Sequence, residues 1–113
     1  MRNKAPYIDE LVTRLANTVK PEAILLFGSV ARGTDDLDSD IDVLVIWDGA
    51  HDVPNRQRRI VLRDLIGDFD HPLDILTYSS QEFRDALQDP RSFASQVTKE
   101  AKVVHGLEII LKI

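Results

Sequence analysis

The chain has 113 residues, a net charge of −5 and no cysteine. Its length fits one domain over residues 1–113, and the lack of cysteine excludes disulfides, thiolate metal sites and a cysteine nucleophile. No apolar run is long enough for a signal peptide or a membrane span, so we expect a cytoplasmic protein that does not enter a membrane. The acidic balance disfavours long nucleic acid as a partner, since proteins that grip it carry a basic surplus or stripe.

Apolar periodicity predicts an α/β (α+β) domain. In chain order, the pattern predicts a helix over 6–19, strands over 23–27 and 41–47, a helix over 54–66, a strand over 72–78, helices over 79–87 and 89–101, and a short strand over 103–105. We expect these elements to form a small mixed β-sheet with helices packed mainly on one face. Residues 106–113 alternate at period two and predict an extra C-terminal strand, added to this sheet or to that of a second copy; a frayed end is the alternative.

The helix over 54–66 carries an apolar set and a basic set of side chains. Its core side is expected to consist of Ile60, Val61, Leu65 and Ile66. The basic set consists of Arg56, Arg58, Arg59 and Arg63. Two interpretations of these arginines remain open, namely a surface for an anionic acceptor or partner and a solvated helix face.

Residues 28–42, GSVARGTDDLDSDID, join the first two predicted strands. Gly28 allows the backbone to come close to a phosphate, and the Ser29 hydroxyl adds a hydrogen-bond donor. A helical turn over residues 30–32, ended by Gly33, would point backbone N–H groups at an anion. Arg32 either contacts the same phosphate or pairs with one of the loop acids at positions 35, 36 and 38. This end of the segment therefore predicts a phosphate site.

The other end of the segment predicts a site for a divalent cation. Side chains alternate along a strand, so Asp40 and Asp42 share one face, and Val43 and Val45 lie on the other. Two carboxylates on one face repel each other and favour a counter-ion, and oxygen ligands suit magnesium. Asp74 is the acid within the next predicted strand, and it can stand opposite this pair if the two strands are neighbours.

A calcium loop is the rival interpretation of the acidic run DDLDSDID. Such a loop requires glycine at position six and glutamate at position twelve. Counted from Asp36, these positions hold Ile41 and Trp47, and counted from Asp38 they hold Val43 and Gly49. Both registers fail, so the calcium loop is excluded.

The segment FGSVARGTDDLDSDIDVLV, followed by a later strand aspartate, resembles the signature of the DNA polymerase β nucleotidyltransferase superfamily. More narrowly, it is similar to the small MNT-type (minimal nucleotidyltransferase) proteins over residues 7–105, although Val30 stands where many of them carry arginine. The resemblance implies that Gly28 and Ser29 hold the phosphates of a nucleoside triphosphate such as ATP. It also implies that Asp40, Asp42 and Asp74 hold two magnesium ions, and that Asp74 accepts the proton of the acceptor hydroxyl.

The same resemblance implies an enzyme that completes its acceptor site with another protein. Larger members of the superfamily hold the acceptor with an extra helical domain, for which 113 residues leave no room. A second copy could supply this surface, but MNT proteins are commonly paired with small helical HEPN toxins, on which they adenylylate a tyrosine. The first hypothesis is therefore a magnesium-dependent nucleotidyltransferase that moves AMP from ATP to a hydroxyl of the toxin and so acts as an antitoxin.

The second hypothesis is an antitoxin with little or no catalytic activity that neutralises its partner by binding. The two hypotheses differ in what they require of the acids at positions 40, 42 and 74. A pure binder gains nothing from a cluster of like charges, because such charges repel each other. The intact set of three acids therefore favours the enzyme.

Overall fold

The computed structural model describes residues 4–35, 39–50 and 52–106. Within these residues the elements in chain order are α1 (Ala5–Thr18), β1 (Ala23–Phe27), α2 (Gly28–Arg32), β2 (Ile41–Ile46), α3 (Asn55–Ile66), β3 (Leu73–Tyr78), α4 (Ser80–Leu87), α5 (Phe93–Thr98) and β4 (Lys102–His105). The predicted extra strand over 106–113 lies outside the described residues from position 107 onward. No helix in the described ranges combines the length and the hydropathy needed to cross a membrane.

The predicted element boundaries agree with the structure to within two residues, with one exception at the last helix. The sequence predicts a helix over 89–101, whereas α5 begins only at Phe93 and already ends at Thr98. Pro90 has no backbone N–H, and the chain turns before Ser92, whose side chain accepts a hydrogen bond of 3.1 Å from the Ser95 N–H. A serine that caps a helix in this way fixes its first turn. The helix therefore starts at its serine cap rather than at the proline.

The four strands of the described part form one sheet in the order β3-β2-β1-β4. β1 is antiparallel to both β2 and β4, and β2 and β3 are parallel. The carboxyl end of β1 and the amino ends of β2 and β3 therefore meet at one end of the sheet. We call this the acidic end, because Asp42 and Asp74 lie there beside Phe27. The topology thus brings together segments that are about 45 residues apart in the chain.

Helices cover both faces of the sheet. On one face, α1 and α3 bury the side chains Leu11, Leu15, Leu62 and Ile66 against Ile24, Val43 and Val45. On the opposite face, α4 and α5 bury Phe83, Ala94 and Val97 against Leu25, Leu44 and Ile46. The predicted small mixed sheet in an α/β domain is confirmed, with the two longest helices on one face. The two short C-terminal helices add a layer on the other face, which carries Asp42 and Asp74.

The prediction for the core side of α3 is wrong for three of its four residues. Ile66 is buried, but Ile60, Val61 and Leu65 are 52%, 39% and 43% exposed. The buried face consists instead of Arg58, Leu62 and Ile66, which follow one another at intervals of four residues. Residues four apart lie on one side of a helix. The apolar residues of α3 therefore occupy more of the helix circumference than the side that packs against the sheet and α1.

Arg58 is the most deeply buried of the four arginines of α3 and has a structural role. Only 2% of Arg58 is exposed, and its guanidinium donates hydrogen bonds of 2.7 Å to both carboxylate oxygens of Glu82 and one of 3.0 Å to the Val53 carbonyl oxygen. Glu82 also forms the capping box at the beginning of α4, in which its partner is Ser79. Arg58 therefore joins α3 to the beginning of α4. Arg56 and Arg63 are exposed and Arg59 is partly buried.

Candidate active site

The junction between β1 and α2 places its backbone directly against Asp42. Phe27 pairs with Asp42 in the antiparallel ladder, and Gly28 begins α2 with a φ of 69°. Residues with a side chain rarely adopt this φ, and a Cβ built on Gly28 would overlap the Oδ2 atom of Asp42. Both constraints require glycine here. The backbone of the predicted phosphate site and a carboxylate of the predicted metal site are therefore immediate neighbours.

The α2 helix is a single turn that begins at Gly28, two residues before the turn predicted over 30–32. Gly33 ends it in the left-handed conformation, with a φ of 74°. The Thr34 N–H donates a hydrogen bond of 2.9 Å to the Ser29 carbonyl oxygen, which closes the turn. Ser29 is the second residue of this helix and is partly buried. The hydroxyl of Ser29 is thus held one residue away from the contact between Gly28 and Asp42.

Asp42 and Asp74 stand side by side on adjacent strands. They are direct partners in the parallel register of β2 and β3, and the alternation of side chains puts both on the face that α4 and α5 cover. Asp42 is partly buried, whereas Asp74 is exposed. Asp40 is also exposed and lies one residue before β2 begins. The structure therefore confirms the prediction that the strands carrying Asp42 and Asp74 are adjacent.

The electrostatics of Asp42 show that these acids influence one another. Burial raises the pKa of the Asp42 carboxyl above its usual 3.8, and the negative charges of Asp74 and Asp40 raise it further. Arg32 and Lys4 act in the opposite direction and lower the pKa of Asp42. A carboxylate that is partly desolvated beside two like charges is stabilised by a cation. The three acids thus supply the oxygen ligands and the excess negative charge that suit magnesium.

The three acids have the donor chemistry for a divalent cation, but they do not form a closed coordination set. Within residues 4–35, 39–50 and 52–106, no group of three or more His, Cys, Asp and Glu side chains is arranged so that it could hold a metal ion. The assignment of Asp40, Asp42 and Asp74 as metal ligands stays a prediction.

Arg32 has a partner that the sequence did not indicate. Its Nη1 atom lies 3.3 Å from the Oε2 atom of Glu100, and both side chains are half exposed. Glu100 follows α5 and is 68 residues away in the chain. The charge of Arg32 also acts on Asp42. Arg32 therefore lies between the acidic end of the sheet and the segment after α5, and its contact with a phosphate stays a prediction.

Sequence reasoning missed Lys4. Only 7% of this residue is exposed; its Nζ atom lies 3.1 Å from the Asp35 carboxylate and donates a hydrogen bond of 2.9 Å to the Ser39 carbonyl oxygen. Asp35 and Ser39 flank the loop positions 36–38, which lie outside the described residues. Lys4 thus holds together the two sides of the loop that leads to Asp40. A lone lysine near the start of a chain carries no sequence signal for such a role.

Comparison with known protein families identifies the family to which the chain is similar. A family model described as Polymerase beta, Nucleotidyltransferase matches residues 9–108. No curated protein is similar enough to the chain to count as a relative. The match covers nearly the whole chain, including the Gly28–Asp42 segment and Asp74. It confirms the resemblance to the polymerase β superfamily that the sequence indicated.

A solved structure described as the crystal structure of a toxin–antitoxin with AMP-PNP contains a chain with a similar fold. The TM-score is 0.50 and the sequence identity is 19%, over 92% of this chain and 84% of that chain. At this level of identity, the likeness establishes the fold alone.

Proposed function

The chain belongs to the polymerase β nucleotidyltransferase family, and we propose that it transfers AMP from ATP to a hydroxyl group of a partner protein. The observation that carries this proposal is the contact between Gly28 and Asp42. A phosphate bound at Gly28 and Ser29 would lie directly beside the acids of β2 and β3. Nucleotidyl transfer needs this combination of a phosphate site and a cation site.

Each group of the site has a distinct role in this proposal. The backbone at Gly28 and the hydroxyl of Ser29 bind the β- and γ-phosphates, and Arg32 adds positive charge. Asp40, Asp42 and Asp74 would hold magnesium. When bound, the metal supplies positive charge that neutralises the phosphate oxygens. Such a site accelerates the reaction mainly by positioning its reactants and stabilising charge.

The reaction itself exchanges one bond to phosphorus for another. The acceptor hydroxyl gives its proton to the exposed carboxylate of Asp74, and its oxygen forms a bond to the α-phosphorus of ATP. The bond between the α-phosphorus and the bridging oxygen breaks, and pyrophosphate leaves with that electron pair. The products are the AMP ester of the acceptor, pyrophosphate and the proton. Asp74 suits this role because its side chain is exposed on the strand beside Asp42.

We propose that the acceptor is a toxin of the small helical HEPN type, which this chain neutralises as an antitoxin. The similar fold in a toxin–antitoxin structure with AMP-PNP supports this proposal. So does α3, which exposes Ile60, Val61 and Leu65 next to Arg56 and Arg63. Exposed apolar side chains with charged neighbours are typical of a surface that binds another protein.

Labelled ATP tests the transfer directly. The chain is incubated with magnesium and any small helical protein whose gene lies beside its own, and ATP carries the label either on its α-phosphate or on its γ-phosphate. We expect the α-label to appear on the partner, which gains one AMP in mass, and the γ-label to stay off it. Transfer of the γ-label instead would identify a kinase and overturn the proposal.

The exposed apolar residues of α3, Ile60, Val61 and Leu65, also support the second candidate function, an antitoxin that acts by binding alone. This function requires a stable complex but no chemistry at Asp42. It predicts that the two proteins form a complex without any change of mass in the presence of ATP, GTP, CTP or UTP. The same experiment therefore separates the two candidates.

A further inference from the structure

A cavity opens beside Gly28 on the face of the sheet that carries Asp42 and Asp74. Its volume is about 180 Å³, and it lies between the β1–α2 junction and α5. Its lining consists of Phe27, Gly28 and Arg32 at the β1–α2 junction and of Phe93, Gln96, Val97 and Glu100 in and after α5. Gly28 thus borders both this cavity and the Asp42 carboxylate. A molecule whose phosphates lie at Gly28 could extend directly into the cavity.

We propose that this cavity binds the adenine base of the nucleotide, with Phe93 as its stacking platform and Gln96 as the residue that reads its edge. The inference rests on the proposed nucleotidyl transfer and assigns the base-binding part of that site.

Phe93 has the exposure that a stacking platform needs. It is 47% exposed although it is the first residue of α5, and its ring meets the ring of Phe27 edge to face, with 5.7 Å between the centroids. This contact holds the Phe93 ring while leaving much of its surface open. A planar base that stacks on an aromatic ring removes such a surface from water.

Gln96 supplies polar groups of the kind that distinguish adenine from other bases. Its Nε2 atom donates a hydrogen bond of 3.1 Å to the Pro90 carbonyl oxygen, which orients the amide. The amide of glutamine has a second N–H and an acceptor oxygen. This combination can pair with N7 and the N6 amino group of adenine, whereas guanine presents two acceptors on the same edge.

Two other cavities fit the base less well. The larger cavity, of about 520 Å³, is lined by Leu73 and Ile75, and alternation along β3 puts these side chains on the face opposite Asp74. A third cavity, of about 320 Å³, lies on the other side of Phe93 against Leu76 and Tyr78. Gly28 lines neither of them. Only the first of the three cavities discussed therefore continues from the predicted phosphate site.

The decisive measurement compares ATP with inorganic tripolyphosphate, which has the phosphates but no base. Binding of both to the full chain is measured by calorimetry in the presence of magnesium. We expect Phe93→Ala to weaken ATP binding about tenfold, or about 1.4 kcal/mol, and to leave tripolyphosphate binding unchanged. Phe93→Tyr, which keeps the ring, should bind ATP as the wild type does.

A matched control is Tyr7→Ala, which removes an aromatic side chain that is 37% exposed and contacts Phe69 and His71. Tyr7→Ala should change the affinity neither for ATP nor for tripolyphosphate. Gln96→Ala should reduce the preference for ATP over GTP. Thermal unfolding of each variant checks that its fold is retained.

The outcomes separate this inference from the function on which it rests. Phe93→Ala could instead weaken the binding of ATP and tripolyphosphate equally, or weaken neither. Either result would show that the base does not stack on Phe93 and would overturn the inference, without contradicting nucleotide binding itself. If the wild type binds neither ligand, the proposed function fails and the inference fails with it.

Discussion

Asp42 and Asp74 are direct partners in the parallel register of β2 and β3, so two carboxylates lie side by side at the acidic end of the sheet. This arrangement works against folding, because burial and the neighbouring acids raise the pKa of Asp42. A raised pKa means that the folded chain binds the proton of Asp42 more tightly than the unfolded chain does. This tighter binding of the proton stabilises the folded chain fully below the usual pKa of 3.8. The stabilisation is lost as the pH rises from 3.8 through the raised pKa of Asp42. At neutral pH the charged pair therefore costs stability, as expected of groups kept for function.

The first prediction follows from this conflict between stability and function. Asp42→Asn should abolish nucleotidyl transfer, because it removes a carboxylate proposed to hold magnesium, and it should leave the melting temperature at pH 7 equal or higher, because it removes repulsion. Near pH 3 the difference in melting temperature should shrink, since the wild-type carboxyl then takes up its proton. The exposed acid Asp9 on α1 provides the control, and Asp9→Asn should keep full transfer activity. Transfer that survives Asp42→Asn would rule out the proposed mechanism.

The second prediction uses two glycines with nearly the same backbone strain. Gly28 and Gly33 have φ values of 69° and 74°, but a Cβ would overlap the Asp42 carboxylate at Gly28 and would meet nothing within 4 Å at Gly33. Gly28→Ala and Gly33→Ala should each lower the free energy of unfolding by about 1–2 kcal/mol, because both force alanine into the left-handed region. Only Gly28→Ala should also lose nucleotide binding and transfer. Equal loss of activity in both variants would assign the effect to the backbone of the loop rather than to the Asp42 contact.

The third prediction concerns magnesium and the nucleotide. ATP should raise the melting temperature only when magnesium is present, because a ligand that binds the folded state alone stabilises it by mass action. Ser29→Ala should weaken ATP binding about three- to tenfold, the effect of losing one hydrogen bond, while the backbone donors at Gly28 remain. Thermal unfolding with and without a chelator measures both effects. A shift of the same size in the presence of the chelator would show that the three acids are not part of the nucleotide site.

Much of the site could be predicted from the sequence because its parts are local. The Gly28–Ser29 turn and the Asp40–Asp42 pair lie on either side of one short loop, and the alternation along a strand fixes the face of each carboxylate. The position of Asp74 opposite this pair could be predicted on the assumption that its strand lies beside the strand that carries Asp42. Short-range geometry of this kind is encoded in spacing alone.

Other contacts of the site depend on the tertiary fold. Glu100 meets Arg32 across 68 residues, and Lys4 reaches Ser39 across 35. Each contact joins one charged side chain to a group whose position is set by the packing of other elements. No periodicity marks such residues. The partners of Arg32 and Lys4 were missed for this reason.

The fourth prediction concerns the ion pair between Arg58 and Glu82. The Arg58 guanidinium, with a smaller effect of the Ser79 backbone N–H, lowers the pKa of Glu82 from 4.5 to about 2. A lowered pKa means that the pair stabilises the fold above pH 4.5 and that this contribution is lost as the pH falls toward 2. Glu82→Gln should therefore lower the free energy of unfolding at pH 7 by about 2 kcal/mol, a value discounted because 42% of the Glu82 side chain is exposed. Urea unfolding at pH 7 and at pH 3 should show the difference narrowing at the lower pH.

The two partners of this ion pair should differ in the effect of their removal. Glu82→Gln leaves the buried guanidinium of Arg58 without a counter-charge, whereas Arg58→Met leaves a carboxylate that water can still reach. Arg58→Met should therefore destabilise the fold less than Glu82→Gln at pH 7. The reverse order would contradict the view that burial of Arg58 dominates the energetics of the pair.

The last prediction concerns the two leucines that distinguish the buried and exposed sides of α3. Leu62 is fully buried, whereas 43% of Leu65 is exposed. Leu62→Ala should lower the free energy of unfolding by about 2–5 kcal/mol, the usual result of a cavity in a core, and Leu65→Ala should change it by no more than about 0.5 kcal/mol. Leu65→Asp should likewise leave the fold intact but abolish the complex with the toxin partner, because it places a charge in an apolar interface. Urea unfolding and sedimentation of the mixed proteins measure the two effects, and a complex that tolerates Leu65→Asp would show that the partner binds elsewhere on the molecule.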